Sequence, residues 1–294
     1  MGYADGYYYG QGRIICDTST FSVGDTIRVR SMTDSNKVWN KTVATVGTAL
    51  VFTVPCYDYY KICTVQDIGG TPTEIGGVYK TVDYGQTLFI GVADFNPNSL
   101  AYVQSVLNNH QENYVLNIGD EKTIKINSGG TPTDWTMQIA NIDGTNHRVD
   151  FVSKDIYSLS VTANNYSSST LRTNAQAFYN SIDNNDKQYI KEVTRTCRNN
   201  STLITYSDYV WVAGLQEIVG DDIGCGQTQF PIFTTQSSRI KLYNGVANNW
   251  WTDDCRQHSS MPEPYYINPS GGYSTWEASD SRGFVPCFRL TADS

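Results

Sequence analysis

The feature that most constrains this chain is a rhythm of short strand-like runs cut by turn residues. Thr26-Ile27-Arg28-Val29-Arg30 alternates with period two, and Leu50-Val51-Phe52-Thr53-Val54 is a continuous apolar run. Tyr59 to Val65 follows a Pro-containing corner, and Thr87 to Val92 closes the set. Ser22-Val23-Gly24-Asp25, Asp67-Ile68-Gly69-Gly70 and Asp83-Tyr84-Gly85-Gln86 lie between them. Gly, Asn and Asp tolerate the backbone of tight corners, so these are turns. Strands this short and evenly spaced imply two packed sheets, a β-sandwich of immunoglobulin-like or prealbumin-like type over residues 13–94. Nothing in that segment carries chemistry, so it reads as a spacer or docking module, with residues 1–12 as an N-terminal docking segment.

The pattern changes over residues 95–113. Leu100, Val103, Val106 and Leu107 recur at helical spacing, with Asn96 as a cap and Pro97 at the first position. A short helix bridging two domains is expected there. A second domain, residues 114–294, mixes strands and helices. Trp135 to Ala140 pairs with Arg148 to Val152 across Asp143-Gly144. Leu171, Ala175, Phe178 and Ile182 share a helical face, continued by Tyr189, Ile190 and Val193 after a break at Asp183 to Asp186. Tyr209 to Ala213 reads as a buried strand, and Trp211 and Trp251 as core residues. The fold class is therefore mainly β with some α.

Composition narrows the function. Aromatic residues make up 13%, too many for a disordered chain. The net charge is −8 with no run of Lys or Arg, which argues against nucleic-acid binding. The first residues lack the basic and apolar regions of a signal peptide, and no stretch is long and apolar enough to insert in a membrane. Seven cysteines at wide spacing read as free buried thiols, with Cys56–Cys63 and Cys255–Cys287 as the pairings open to them.

Ordered landmarks carry a resemblance. They are Gly119-Asp120 at a strand start, the Trp135 to Val152 hairpin, Leu171-Arg172 opening a helix, and a Glu217-Ile218 turn ending at Gly220. Arg239 to Lys241, Trp250-Trp251 and the terminal Gly283-Phe284-Val285-Pro286-Cys287-Phe288-Arg289-Leu290 follow. Over residues 115–292 the chain resembles a domain family of phage and gut-bacterial proteins with a C-type-lectin-like fold. Such domains often continue the Trp strand with an Arg-Ser-Pro-like step, whereas this chain has Thr252-Asp253-Asp254-Cys255-Arg256. The resemblance implies a bacteriophage virion protein, a fibre or tail-tip component, assembled in the host cytoplasm beside other virion proteins as a dimer or trimer. Its C-terminal domain would present Tyr243, Asn249, Trp250, Asp253, Arg256, Tyr265, Tyr273 and Trp276 to a host-surface glycan or protein, because aromatic and Arg side chains dominate binding hot spots. Capsid or tail decoration with a purely structural role is one alternative; a cell-wall glycan-active enzyme is the other.

Catalytic machinery is not evident. None of the three histidines, His110, His147 and His258, sits in a nucleophile setting, and Cys255 with His258 lacks further zinc ligands. Asp253, Asp254, Glu263 and Glu277 read as solvated loop carboxylates rather than a glycosidase pair. Glu263-Pro264-Tyr265 and Trp251-Thr252-Asp253 depart from the calcium-dependent lectin steps in residue type and order. A formylglycine-generating enzyme, of related fold, would need a reactive Cys pair in a cleft; Cys255 and Cys287 match it in name only. The chain is expected to be non-enzymatic, with no catalytic residue, metal or cofactor.

Overall fold

The computed structural model describes the chain apart from residues 1, 2, 5, 6, 9, 69, 92–95, 109, 111, 129, 164, 165, 200, 222, 259, 260, 278 and 294. The side chains of residues 3, 4, 7, 8, 128, 160, 161, 167, 257, 258, 261 and 262 are likewise left aside. Much of the expected docking segment, the end of the expected strand at Val92 and the His258 side chain therefore lie outside the described residues. Strand accounts for 49% of the structure and helix for 16%, so the chain is mainly β, as its turn-punctuated runs require. It divides into two compact units, Met1–Gln111 and Glu112–Ser294.

The first unit holds β1 (Gln11–Cys16), β2 (Thr26–Ser31), β3 (Val38–Thr42), β4 (Leu50–Pro55), β5 (Asp58–Ile68), β6 (Thr71–Val82) and β7 (Thr87–Ile90). One sheet runs β4-β1-β7, with β1 parallel to β7, and the other runs β3-β2-β5-β6, antiparallel throughout. Period-two alternation sends Ile14 and Cys16, Ile27 and Val29, and Phe52 and Val54 into the core. The apolar run Leu50 to Val54 also alternates, leaving Val51 exposed beside a buried Phe52. Helix α1 (Leu100–Asn108) packs against β6 inside this unit, with Leu100, Val103, Val106 and Leu107 fully buried. Its cap is not Asn96. Asn96 to Ser99 folds as a turn, and Ser99 Oγ accepts the Tyr102 N–H at 3.1 Å.

The β5–β6 pairing slips between Ile62 and Thr64, where Gly76 and Gly77 face Cys63 as a bulge. Both glycines have positive φ, 60° and 95°, and a Cβ on Gly77 would lie 2.0 Å from the Ile62 carbonyl oxygen. Gly70, at the tip of the same hairpin, has φ 84° and open space where its Cβ would go. Gly77→Ala is therefore expected to cost about 3 kcal/mol, and Gly70→Ala only about 1 kcal/mol. Urea-unfolding midpoints of the two variants check the difference.

The second unit opens with α2 (Glu112–Val115), β8 (Glu121–Ser128), β9 (Thr131–Asp143), β10 (Arg148–Ser153) and β11 (Ser158–Val161). Then come α3 (Thr170–Ser181), α4 (Asn184–Lys187), β12 (Val193–Asn199), β13 (Thr202–Asp208), β14 (Val210–Val212) and α5 (Leu215–Val219). The chain ends with β15 (Lys241–Tyr243), β16 (Val246–Asn248), β17 (Trp250–His258), β18 (Met261–Ile267), β19 (Tyr273–Thr275), β20 (Arg282–Phe284) and β21 (Pro286–Thr291). One antiparallel sheet runs β8-β9-β10-β21-β14. A mixed sheet runs β11-β20-β17-β12-β13, with β18 pairing β17 and β19 pairing β18. The expected Trp135 hairpin forms, with Ile139 opposite Phe151.

The helical face was expected to run through Val193. Instead the helix ends at Ser181, one short turn follows, and Val193 begins β12. The β-branched and thiol residues of Val193-Thr194-Arg195-Thr196-Cys197 pair residue by residue with β13, which satisfies their backbone better than an exposed helix would. Helix α3 is capped by Ser169, whose Oγ accepts the Arg172 N–H, and it buries Leu171, Ala175 and Phe178. Phe178 meets Tyr157 edge-on at 4.8 Å. All seven cysteines are free and buried, so neither Cys56–Cys63 nor Cys255–Cys287 is bridged. Among the described residues no helix is long and apolar enough to cross a membrane.

Candidate functional site

The second unit is built around a buried charge. On β12 the residues Val193, Arg195 and Cys197 face inward, which drives the Arg195 guanidinium into the interior. Arg195 Nη1 and Nη2 donate to Glu217 Oε1 and Oε2 at 2.5 and 2.7 Å, a two-pronged pair. Nη2 also donates to Asp253 Oδ2 at 3.2 Å, and Nε to the Tyr206 hydroxyl at 3.3 Å. Tyr206 sits opposite Arg195 on β13 and donates its own hydroxyl to Asp253 Oδ2. The guanidinium carbon lies 4.9 Å from the ring centre of buried Trp211. Burial opposes the Arg195 charge, but the Glu217, Tyr206 and Asp253 oxygens outweigh it and hold the pKa above the ordinary arginine value.

Each carboxylate reaches this centre by a local device. Glu217 lies in the first turn of α5, where Oε2 also accepts the Gly214 N–H at 2.9 Å, and Gly220 ends that helix at φ 86°. Asp253 and Asp254 sit on β17, whose pairing with β18 is irregular between Trp251 and Cys255. Asp254 Oδ2 accepts the Leu215 N–H and Oδ1 the Arg198 N–H, both at 2.7 Å. Asp253 Oδ1, Asp254 Oδ2 and the Gln227 Oε1 each lie 2.8 Å from where a Gly214 Cβ would be. Any larger residue at position 214 would displace them. Burial, and then the neighbouring Asp254 charge, push the Asp253 carboxyl far above the ordinary range. Burial also raises Asp254, against the N–H donors of Arg198 and Leu215.

The network borders a polar cleft of about 610 Å³. One wall is a face of the antiparallel sheet. Asn141, Asp150 and Arg289 stand in a row across β9, β10 and β21, and Asp143 pairs with Arg148 beside them. Arg195, Glu217 and the segment Cys225 to Thr228 form the opposite side. Burial pushes the Cys63 and Cys255 thiols up to about 12 and raises Cys197, Cys225 and Cys287 further, which disfavours the nucleophilic thiolate at these five positions. Among the described residues no group of three or more His, Cys, Asp and Glu is placed to hold a metal ion.

The eight residues expected at a recognition surface separate into groups. Arg256, Tyr265 and Tyr273 gather on the β17–β18–β19 ribbon, whereas Trp276, just past β19, has its ring centre 5.8 Å from the Arg282 guanidinium. Arg256 pairs with Glu263 at 3.0 Å, and Thr275 Oγ1 donates to the same carboxylate. Tyr265 and Tyr273 lie 6.3 Å apart, and Tyr273 donates its hydroxyl to Asp221 at 2.6 Å. Trp276 is half exposed, its N–H bonded to the Pro264 carbonyl. Tyr243, on β15, and Asn249, just before β17, are partly buried and outside the ribbon. Two placements correct the sequence reading. Trp250 is fully buried, packed on Phe233 and donating Nε1 to the Arg239 carbonyl, so it is a core residue. Asp253 belongs to the interior network, and neither it nor Asp254 is a solvated loop carboxylate.

Sequence reasoning missed Arg195, Tyr206 and Glu217. Their partners lie 22 and 58 residues from Arg195, and the only local signal was β-branched alternation around an Arg. The whole arrangement defines a β-rich domain organised on a buried arginine–carboxylate cluster. Residues 140–292, just over half of the chain, match the family described as Domain of unknown function (DUF6273), and the chain belongs to that family. The network, the cleft and the ribbon all fall inside the matched segment. No curated protein and no solved structure matches the chain.

The raised Asp253 carboxyl sets a pH dependence. A carboxyl whose folded pKa exceeds its unfolded value, about 4, favours folding most below that value, and the benefit is lost as pH rises through the folded pKa. Asp253→Asn fixes the neutral form and keeps an acceptor for Tyr206. Urea denaturation is expected to shift in favour of the variant, relative to wild type, between about pH 5 and about pH 8. A constant difference across that window would contradict the assignment.

Proposed function

We propose that this chain is a non-enzymatic recognition protein of a bacteriophage virion, a fibre or tail-tip component assembled in the host cytoplasm as a homo-oligomer among other virion proteins. In this reading the first unit is an immunoglobulin-like or prealbumin-like sandwich that docks to the particle. The second is a C-type-lectin-like domain that meets a host-surface glycan or protein. The observation that carries the proposal is the ribbon, where Arg256, Tyr265 and Tyr273 lie within one short stretch of paired strands, with half-exposed Trp276 directly after the last of them. Rings with a polar tip or edge, beside a guanidinium, suit a half-wet binding surface. The Tyr273–Asp221 and Arg256–Glu263 bonds hold two of these side chains in place before a ligand arrives, which lowers the entropy cost of binding.

The burial of Asp253 and Asp254 supports the same reading against the glycan-active alternative. Both Asp254 oxygens accept backbone N–H groups and Asp253 Oδ2 accepts from Arg195 and Tyr206, in the interior rather than in an open groove. The test is binding of the fluorescently labelled chain to a panel of bacterial strains. Wild type is expected to label particular strains, and Trp276→Ala and Tyr273→Ala are each expected to weaken labelling about tenfold, the scale of one hot-spot side chain, with melting temperatures little changed. Labelling of no strain, or labelling that survives both substitutions, would overturn the proposal.

A further inference from the structure

The cleft holds an imbalance in hydrogen bonding that its formal charges hide. Arg148, Arg195 and Arg289 meet Asp143, Asp150 and Glu217 along its walls. Each of those carboxylates is already engaged at both oxygens. Asp150, fully buried, accepts from Arg289 Nε at 2.6 Å and from Asn141 Nδ2 at 3.0 Å. Asp143 accepts the Thr145 and Asn146 N–H groups, the Asn146 side-chain amide, and Arg148 at 2.8 Å. Glu217 holds Arg195 and the Gly214 N–H.

Two of the arginines are not saturated. Among the described residues, the Nη1 and Nη2 of Arg289 make no hydrogen bond, since only its Nε is engaged. Arg148 Nε is buried without a partner. Position by position, both side chains belong to one sheet face. Asp150 lies opposite Arg289, and Arg148 is two residues before Asp150 on the same strand. Buried polar groups left unpaired are costly and rare in folded proteins, and Arg148 and Arg289 both line this one cavity.

The geometry points to a binding site for a small molecule carrying a carboxylate. The free edge of Arg289 offers the parallel N–H pair that a carboxylate takes in two-pronged fashion, and the partly exposed Arg148 guanidinium adds a second positive charge. The balanced formal charge of the walls suits a single negative charge better than a doubly charged phosphate. Sugar acids and peptide C-termini share this chemistry. The site rests on residues apart from the ribbon and stands or falls independently of it.

Isothermal calorimetry on the full chain separates the outcomes, with D-glucuronate, D-alanyl-D-alanine and D-glucose as probes. At least one carboxylate probe is expected to bind, with glucose at least about tenfold weaker, the loss of one charge-assisted contact. Binding by glucuronate alone assigns the sugar acid, by the dipeptide alone the peptide terminus, and by both the shared carboxylate. Arg289→Lys, which keeps the charge but loses the fork, and Arg148→Gln are each expected to weaken binding about tenfold. Arg148 is partly exposed and Arg148→Gln leaves Asp150 paired, so it decides the matter even if Arg289→Lys destabilises the fold. No binding by either carboxylate, equal binding of glucose, or wild-type affinity in a folded Arg148→Gln protein would overturn the site.

Discussion

The Arg195 guanidinium is the constraint on which the second unit depends. A buried charge is tolerated only when its hydrogen bonds are complete, and each partner of this one comes from a different element. Tyr206 comes from β13, Glu217 from α5 and Asp253 from β17. Asp254 extends the set by accepting backbone N–H groups from the end of β12 and the start of α5. Strand, helix and sheet must therefore be in register for any one of these bonds to form. Pairs of this kind contribute little net stability against an apolar core of the same shape, but they penalise misassembly heavily.

The surfaces follow from that interior. Strand β17 turns its two aspartates inward, and its hairpin partner β18, with β19, carries the aromatic ribbon. Arg195 and Glu217, at the heart of the network, also form part of the cleft boundary, opposite the Asn141–Asp150–Arg289 row. Trp211 links the two regions, because Arg195 and Arg289 lie 4.9 and 5.9 Å from its ring centre. The first unit is held differently, by alternating apolar residues and a glycine bulge, without a comparable buried ion cluster among its described residues.

How much of this was legible in the sequence depends on the range of the interaction. Period-two alternation is local, so Thr26 to Arg30, Tyr59 to Val65 and the Trp135 hairpin appear where their residues imply. The helix at Leu100 and that at Leu171 were equally plain. Val193 was misread because an apolar residue at helical spacing also fits a strand, and only pairing with Thr202 to Asp208 decides between them. Asp253, Asp254 and Trp250 were read as exposed because they sit among polar and aromatic residues. What buries them is a set of contacts with residues such as Arg195, Leu215 and Phe233 that no local pattern announces. Arg256, Tyr265 and Tyr273 share one polar, aromatic stretch of sequence, whereas the Arg148–Arg289 face depends on the strand register.

A double-mutant cycle on Arg195 and Glu217, read by urea denaturation, addresses the organising role of the cluster. Arg195→Met alone leaves Glu217 buried without its cation and is predicted to cost about 3–5 kcal/mol. Adding Glu217→Met removes one stranded charge, so the double variant should be more stable than the sum of the singles by at least about 1 kcal/mol. Additive losses, within about 0.5 kcal/mol, would show that the two residues do not act as one buried unit and would contradict the account.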